Sequence, residues 1–387
     1  MRLAQRMSQL GTETAFEVLV KAQALEAQGK DVVHLQIGEP DFATPRHIIE
    51  AAKAALEQGY THYGPSAGLP ELRAAIAEDV AKRRGIAVHP QQVVVTPGAK
   101  PILFFVLLAL AQAGDEVIYP NPGFPIYESV IRFVGATPVP IPLREERGFS
   151  LDVDELQRLI SPRTRLLILN SPQNPTGGVI PPEDLQAIAA LAVRHGVPVL
   201  ADEIYSRILY EDTFHSIAAC DGMEELVILL DGFSKTYAMT GWRIGYGVMP
   251  EALAEQVTRL MTNSNSCTAT FTQRAALAAL NGPQEPVAAM VAEFRRRRDF
   301  FVNGLNAIPG LRCVMPRGAF YAFANVSALG RPSRELADYL LYEGGVAALA
   351  GVDFGAYGEG YLRFSYATSF ENLQKALVRI ADCVAKL

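Results

Sequence analysis

The sequence predicts an α/β fold in which a mainly parallel, seven-stranded sheet is sandwiched by helices. Three observations predict it. Short apolar runs, the mark of strands buried on both faces, alternate with amphipathic helical stretches. Seven such runs occur between residues 92 and 248. The chain of 387 residues, 49% hydrophobic, is also too long for one ordinary core and has the apolar content to fill two.

In chain order, the stretch 69–84 (LPELRAAIAEDVAKRR) reads as a helix and 92–96 (QVVVT) as the first strand. Strands follow at 116–119 (EVIY), 137–141 (TPVPI) and 165–170 (RLLILN). The helix at 182–195 (PEDLQAIAALAVRH) leads to strands at 198–201 (PVLA), 226–230 (LVILL) and 245–248 (GYGV). The turn-forming NGPQE at 281–285 suits a boundary between two domains. The chain contains no internal repeat and no low-complexity linker.

Composition excludes several classes of function. A net charge of -6, with no basic block beyond Arg295 to Arg298, argues against nucleic acid as a partner. The four cysteines, Cys220, Cys267, Cys313 and Cys383, are scattered without C-x-x-C pairing or histidine partners at ligand spacing, so neither a metal site nor a disulfide framework is expected. A reducing cytoplasm fits them best. The most apolar stretch, 102–110, is too short to span a membrane, and the N-terminus lacks the apolar core of a signal peptide.

Chemistry concentrates in DGFSKTYAMTGWRIGYG, residues 231–247. Lys235 follows the apolar run 226–230, so its ammonium is expected near a low-dielectric interior that favours the neutral amine. Such an amine condenses with aldehydes. Ser234 and Arg243 supply a hydroxyl and a guanidinium fork suited to a phosphate, and an aldehyde carrying a phosphate describes pyridoxal 5'-phosphate. Taken alone, a Ser-Lys pair reads more readily as a surface lysine beside a loop.

The remaining motifs change that balance. IGEPDF at Ile37, HYGPSAGLPELR at His62, TPGAK at Thr96, NSPQNPTG at Asn170, ADEIY at Ala201, the lysine segment, RGAFY at Arg317 and YLRFSYATS at Tyr361 follow one another in order. With them the chain resembles, over nearly its whole length, the fold-type I pyridoxal-phosphate aminotransferases of class I/II. The likeness is closest to their bacterial aspartate aminotransferase-like branch, with its S-K-x-x-x-M-T-G-W-R-I-G-Y signature. The resemblance implies an N-terminal arm and part of a small domain in 1–45, a large cofactor-binding domain in 46–284 and a smaller α+β C-terminal domain in 285–387.

The resemblance also distributes roles. TPGAKP reads as a strand end, a glycine turn and a helix start, so the amides of Gly98, Ala99 and Lys100 are expected to face an anion. The family places the cofactor phosphate there, with Ser234, Arg243 and a tyrosine from the partner subunit, matched by Tyr63, which implies a homodimer. Asp202, at the carboxyl end of an apolar strand, is expected to pair with the pyridine nitrogen, although a helix N-cap would also explain it. Asn174 and Tyr205 match hydrogen-bond donors to the ring 3-oxygen, and Phe124 matches the aromatic residue stacked on the ring. Arg363 matches the fork for the substrate α-carboxylate, and Gly38 the glycine whose backbone closes over the substrate.

For the substrate side chain the signals diverge. Lys100 aligns with a lysine that reaches the distal carboxylate of acidic substrates, whereas Phe16, beside Thr14 and Ala15 where relatives carry small hydroxyl residues, favours an apolar pocket mouth. Ala350 stands where proline is common, which loosens the loop before Gly351. The reading is ping-pong transamination between an L-amino acid and a 2-oxo acid such as 2-oxoglutarate or pyruvate, through a Schiff base on Lys235. Asp202 and Tyr205 assist, and no metal is required. A lyase, cyclase or oxygen-using oxidase could share every motif. A non-catalytic regulator is disfavoured because the chemical residues all remain and no DNA-binding extension is present.

Overall fold

A computed structural model describes residues 1–211 and 213–387. A short strand β1 (Val33–His34) precedes the main sheet, which is built from β2 (Val93–Thr96), β3 (Glu116–Asn121), β4 (Thr137–Pro142), β5 (Thr164–Asn170), β6 (Val199–Asp202), β7 (Val227–Gly232) and β8 (Gly245–Val248). Their order is β2-β8-β7-β6-β5-β3-β4. Neighbours from β7 through β4 are parallel, and β8 alone runs antiparallel to both β7 and β2. All seven predicted strands occur, each within two residues of its expected ends.

The apolar runs are explained by burial on both faces. In β5, Leu167 and Leu169 enter one core while Leu166 and Ile168 enter the other. Strand alternation therefore sends every second residue to opposite helical layers, and both sets must be apolar. A third core gathers Val33 and Leu35 with Phe294, Phe301 and Leu305 of helix Glu285–Asn306 and the inward residues of a small antiparallel sheet. That sheet consists of β9 (Arg312–Cys313), β10 (Tyr321–Asn325), β12 (Leu349–Ala350) and β13 (Tyr361–Ser365), in the order β12-β13-β10-β9. Strand β11 (Val346–Ala347) pairs instead with β1. Ala350, expected to precede a loosened loop, is buried within β12 and pairs with Leu362.

The parallel strands end together at one edge, and charged groups are buried there. Helix Pro70–Arg84 stops at Gly85, whose left-handed φ of 70° ends the helix and leaves Arg84 pointing inward. Arg84 Nε donates to Glu203 at 2.6 Å, and its Nη2 donates to Asp231 at 2.7 Å. Burial raises the pKa of both carboxyl groups, and the arginine opposes the rise. Glu203 follows the last residue of β6 and Asp231 lies near the end of β7, so one cation ties together two strand ends.

Replacing Arg84 by Met should strand two buried carboxylates and destabilise the protein by about 3–5 kcal/mol in urea unfolding. Adding Glu203→Gln and Asp231→Asn should recover most of that loss, because the neutral trio leaves no buried charge unpaired.

Candidate active site

Strand register sets the site. Asn170 and Asp202, the last residues of β5 and β6, lie side by side with Leu230, two residues before the end of β7. Because β8 runs the opposite way, its first residue, Gly245, sits against Gly232 at the end of β7 and against Thr96 at the end of β2. The segments just beyond these ends, Gly98 to Lys100, Ser234 to Lys235 and Arg243, therefore converge. A cavity of about 910 Å³ opens over them. Every predicted site residue lines it except Gly98 and Tyr63.

Lys235 follows the fully buried β7 and is itself half-buried in the cavity wall. Burial pulls its pKa down from 10.5 to about 8; Lys100 and Arg243 push the same way, while Glu39 and Glu13 oppose. Its amine donates to the Gly38 carbonyl at 2.5 Å. A side chain on Gly38 is excluded, since a Cβ there would lie 2.3 Å from the Tyr321 hydroxyl.

The anion cradle is a helix start. Helix Lys100–Leu110 has Ala99 at its N-cap, Pro101 in its first turn and no side chain capping it, so its leading amides lack intrahelical acceptors. Gly98 has a φ of 85°, and a Cβ on it would sit 2.2 Å from Arg243 Nη2. Arg243 itself holds the rare φ of 52° and donates to the Thr240 carbonyl at 2.8 Å. Amides, the Ser234 hydroxyl and a guanidinium thus share one small space where the helix dipole also favours negative charge.

Asp202 is buried, and no helix follows it: residues 204–207 form a turn, so the N-cap alternative fails. Its carboxyl accepts from the Tyr127 hydroxyl at 2.6 Å and from the Ile204 amide at 3.3 Å. Burial raises its pKa to about 6 against these two bonds, with Asp231 and Glu203 adding to the rise. Asn170 braces the neighbouring turn, donating to the Asp202 carbonyl at 3.0 Å and accepting from the Asn174 amide at 2.9 Å. The Tyr205 hydroxyl lies 2.8 Å from that of Tyr321, and burial lifts its pKa well above the ordinary value. Phe124 stands edge-on to Tyr127, with ring centroids 5.6 Å apart.

Arg363, in the middle of β13, is buried, and burial lowers its pKa. Among the described residues no carboxylate pairs with it. Its Nη1 donates to Asn174 Oδ1 at 3.2 Å and its Nη2 to the Gln36 carbonyl, while Nε has no partner. The guanidinium lies 4.5 Å from the Tyr321 ring centroid and 4.9 Å from that of Phe354. An unneutralised cation held this deep is a receptor for an anion. Phe16, 59% exposed, marks the cavity mouth, where Lys100 is ion-paired with Glu13. Tyr63 is 88% exposed and does not reach the cavity of its own chain.

Sequence reasoning assigned no role to Tyr127, Tyr321, Asn170 or Glu13. Tyr321 and Asn170 stand inside the motifs RGAFY and NSPQNPTG, and Tyr127 lies three residues after Phe124, so a signal was present for three of them. Glu13 carried none.

A depressed lysine, an anion cradle and an unpaired guanidinium around one cavity at a parallel-sheet edge define an enzyme that handles small carboxylate substrates through an amine. The chain belongs to the aminotransferase class I and II family, whose model matches residues 30–380. It is 44% identical to an aspartate aminotransferase of Pyrococcus abyssi, over 91% of each chain. It is 40% identical to aromatic-amino-acid aminotransferase 2 of Thermococcus litoralis, over 98% of this chain and 97% of that one. The solved aspartate aminotransferase from Thermus thermophilus with maleate superposes with a TM-score of 0.94 at 42% identity, covering 99% of this chain and all of that one. The resemblance and the fold read from the motifs are borne out, and the protein is an aminotransferase.

Asp202 gives a testable sign. Its folded pKa, about 6, lies above its unfolded value near 3.8, so its contribution to stability is fully present below pH 4 and is lost as pH rises through 6. Asp202→Asn should therefore stabilise the unliganded protein at pH 8 by about 1–3 kcal/mol in urea unfolding, with the difference vanishing near pH 4.

Proposed function

We propose that this aminotransferase binds pyridoxal 5'-phosphate and moves the amino group of an L-amino acid to a 2-oxo acid, 2-oxoglutarate or pyruvate, in two ping-pong half-reactions. The observation that carries the reading is the Lys235 amine, whose pKa is lowered to about 8, between the anion cradle and Arg363. The donor set fits the cofactor. The amides of Gly98, Ala99 and Lys100, with Ser234 and Arg243, suit its phosphate, and the exposed Tyr63 is free to complete the cup of a second copy in a homodimer. Asp202 suits the pyridine nitrogen, Phe124 the ring face, and Asn174 with Tyr205 the ring oxygen. When bound, the group supplies an aldehyde carbon for exchange of amines and a protonated ring that withdraws electrons from the substrate Cα.

The chain's own residues do the rest. Arg363 takes the α-carboxylate on its unpartnered Nε and an Nη, which fixes the Cα–H bond relative to Lys235. Lys235 Nζ removes the Cα proton as general base and, once protonated, is the general acid of the same half-reaction. The Gly38 carbonyl, already an acceptor for that amine, holds it on the substrate side. Asp202 is ionised near neutral pH and keeps the ring nitrogen charged, while Tyr127 steadies the carboxylate. Residues 46–284 hold the cofactor groups, and 1–45 with 285–387 supply Gly38, Phe16 and Arg363 to the substrate. Four unpaired cysteines fit a cytoplasmic setting, and among the described residues no helix is long and apolar enough to cross a membrane.

Lys235→Ala should lower turnover by at least about 10³-fold with the purified enzyme and cofactor, the scale of a lost general base. Near wild-type turnover would remove the assignment. Cofactor uptake by the wild-type protein should speed up as pH rises towards 8 and level off above it, since the neutral amine is the reacting form.

A further inference from the structure

Glu13 immediately precedes helix Thr14–Glu26, in the position whose side chain ordinarily caps the helix. It makes no such bond. Its carboxylate instead reaches Lys100, 87 residues away at the start of helix Lys100–Leu110. Both side chains line the cavity, and the Lys100 ammonium lies 5.3 Å from the Phe124 ring centroid. Phe16 and Leu19, on the first turns of the helix that Glu13 precedes, give the cavity apolar lining next to the pair, and Gln23 and Glu26 line it further along the same helix. The Glu13 charge extends inward as well: it raises the pKa of Lys235 and is felt by Arg363 and Tyr321.

Resting on the aminotransferase reading above, we infer that Glu13 is a specificity-determining residue, an internal competitor that occupies Lys100 and so favours amino acids with uncharged side chains. A neutral side chain enters between Phe16 and Phe124 with the ion pair intact. A second carboxylate on the substrate meets the like charge of Glu13 and must displace it to reach Lys100. Lys100 is 48% exposed and Glu13 21%, so water screens the contest and acidic substrates are disfavoured rather than excluded. Donor and acceptor use the same pocket in turn, so the preference extends to the 2-oxo acids.

The test is a single-turnover donor half-reaction of the holoenzyme, comparing aspartate and glutamate with phenylalanine and leucine. Glu13→Gln should raise efficiency with the acidic pair about five- to tenfold, the factor that a screened ion pair of about 1 kcal/mol represents, and change the neutral pair less than about twofold. In a Lys100→Met background the same substitution should give no gain. The inference is overturned if Glu13→Gln alters both classes alike, lowers the acidic pair, or keeps its gain without Lys100. A wild-type enzyme that reacts with none of the four donors overturns the proposed half-reaction on these donor classes and this inference together, which separates the two failures.

Discussion

Ionised groups held out of water at the carboxyl edge of the parallel strands govern the rest of the molecule. Asp202, Glu203, Asp231 and Arg84 lie there fully buried, and Lys235 lies there half-buried. Leaving any of them unpaired in an apolar interior is expensive, so the surrounding chain is arranged to answer each charge. Arg84 bonds to two of the carboxylates, and Tyr127 and a backbone amide serve the third. Among the described residues Lys235 has a carbonyl as its one hydrogen-bond acceptor, and this incomplete compensation goes with the lowered pKa of its amine.

Sheet topology converts that edge into a working site. Had β8 continued the parallel pattern, its first residues would lie at the far end of the sheet, and Arg243 with them. The reversal brings Arg243 beside Gly98 and puts the guanidinium at the start of a helix. The opposite side of the cavity is assembled differently. Arg363 belongs to the small antiparallel sheet, yet it bonds to Gln36 from the segment after β1 and to Asn174 from the turn after β5. Three stretches of chain, far apart in sequence, meet at one guanidinium.

Much of this was legible in the sequence, for reasons visible in particular residues. The run LVILL could only be a strand buried on both faces, and the positions of Lys235, Arg243, Asp202 and Arg363 were fixed by short motifs whose residue types suit amine, phosphate and carboxylate chemistry. Two-residue strands such as Val33–His34 left no periodic trace. The direction of β8 was equally hidden, because GYGV reads the same whichever way it pairs. Asp202 could have capped a helix by its local sequence, and only the turn at 204–207 decides otherwise. The Glu13 to Lys100 contact joins two segments with no shared pattern, so packing alone creates it.

The cavity is graded in depth, and the gradient divides what the enzyme must keep from what it can change. At the bottom, Arg363 is 4% exposed and sits among aromatic rings, where any substitution disturbs the packing of the third core. At the mouth, Phe16 is 59% exposed and touches little that the fold depends on. The base of the cavity is therefore built where the chain is tightly packed, and its mouth where a substitution leaves folding almost untouched. The mouth can therefore change by drift through single surface replacements, with the groups at the base carried along unaltered.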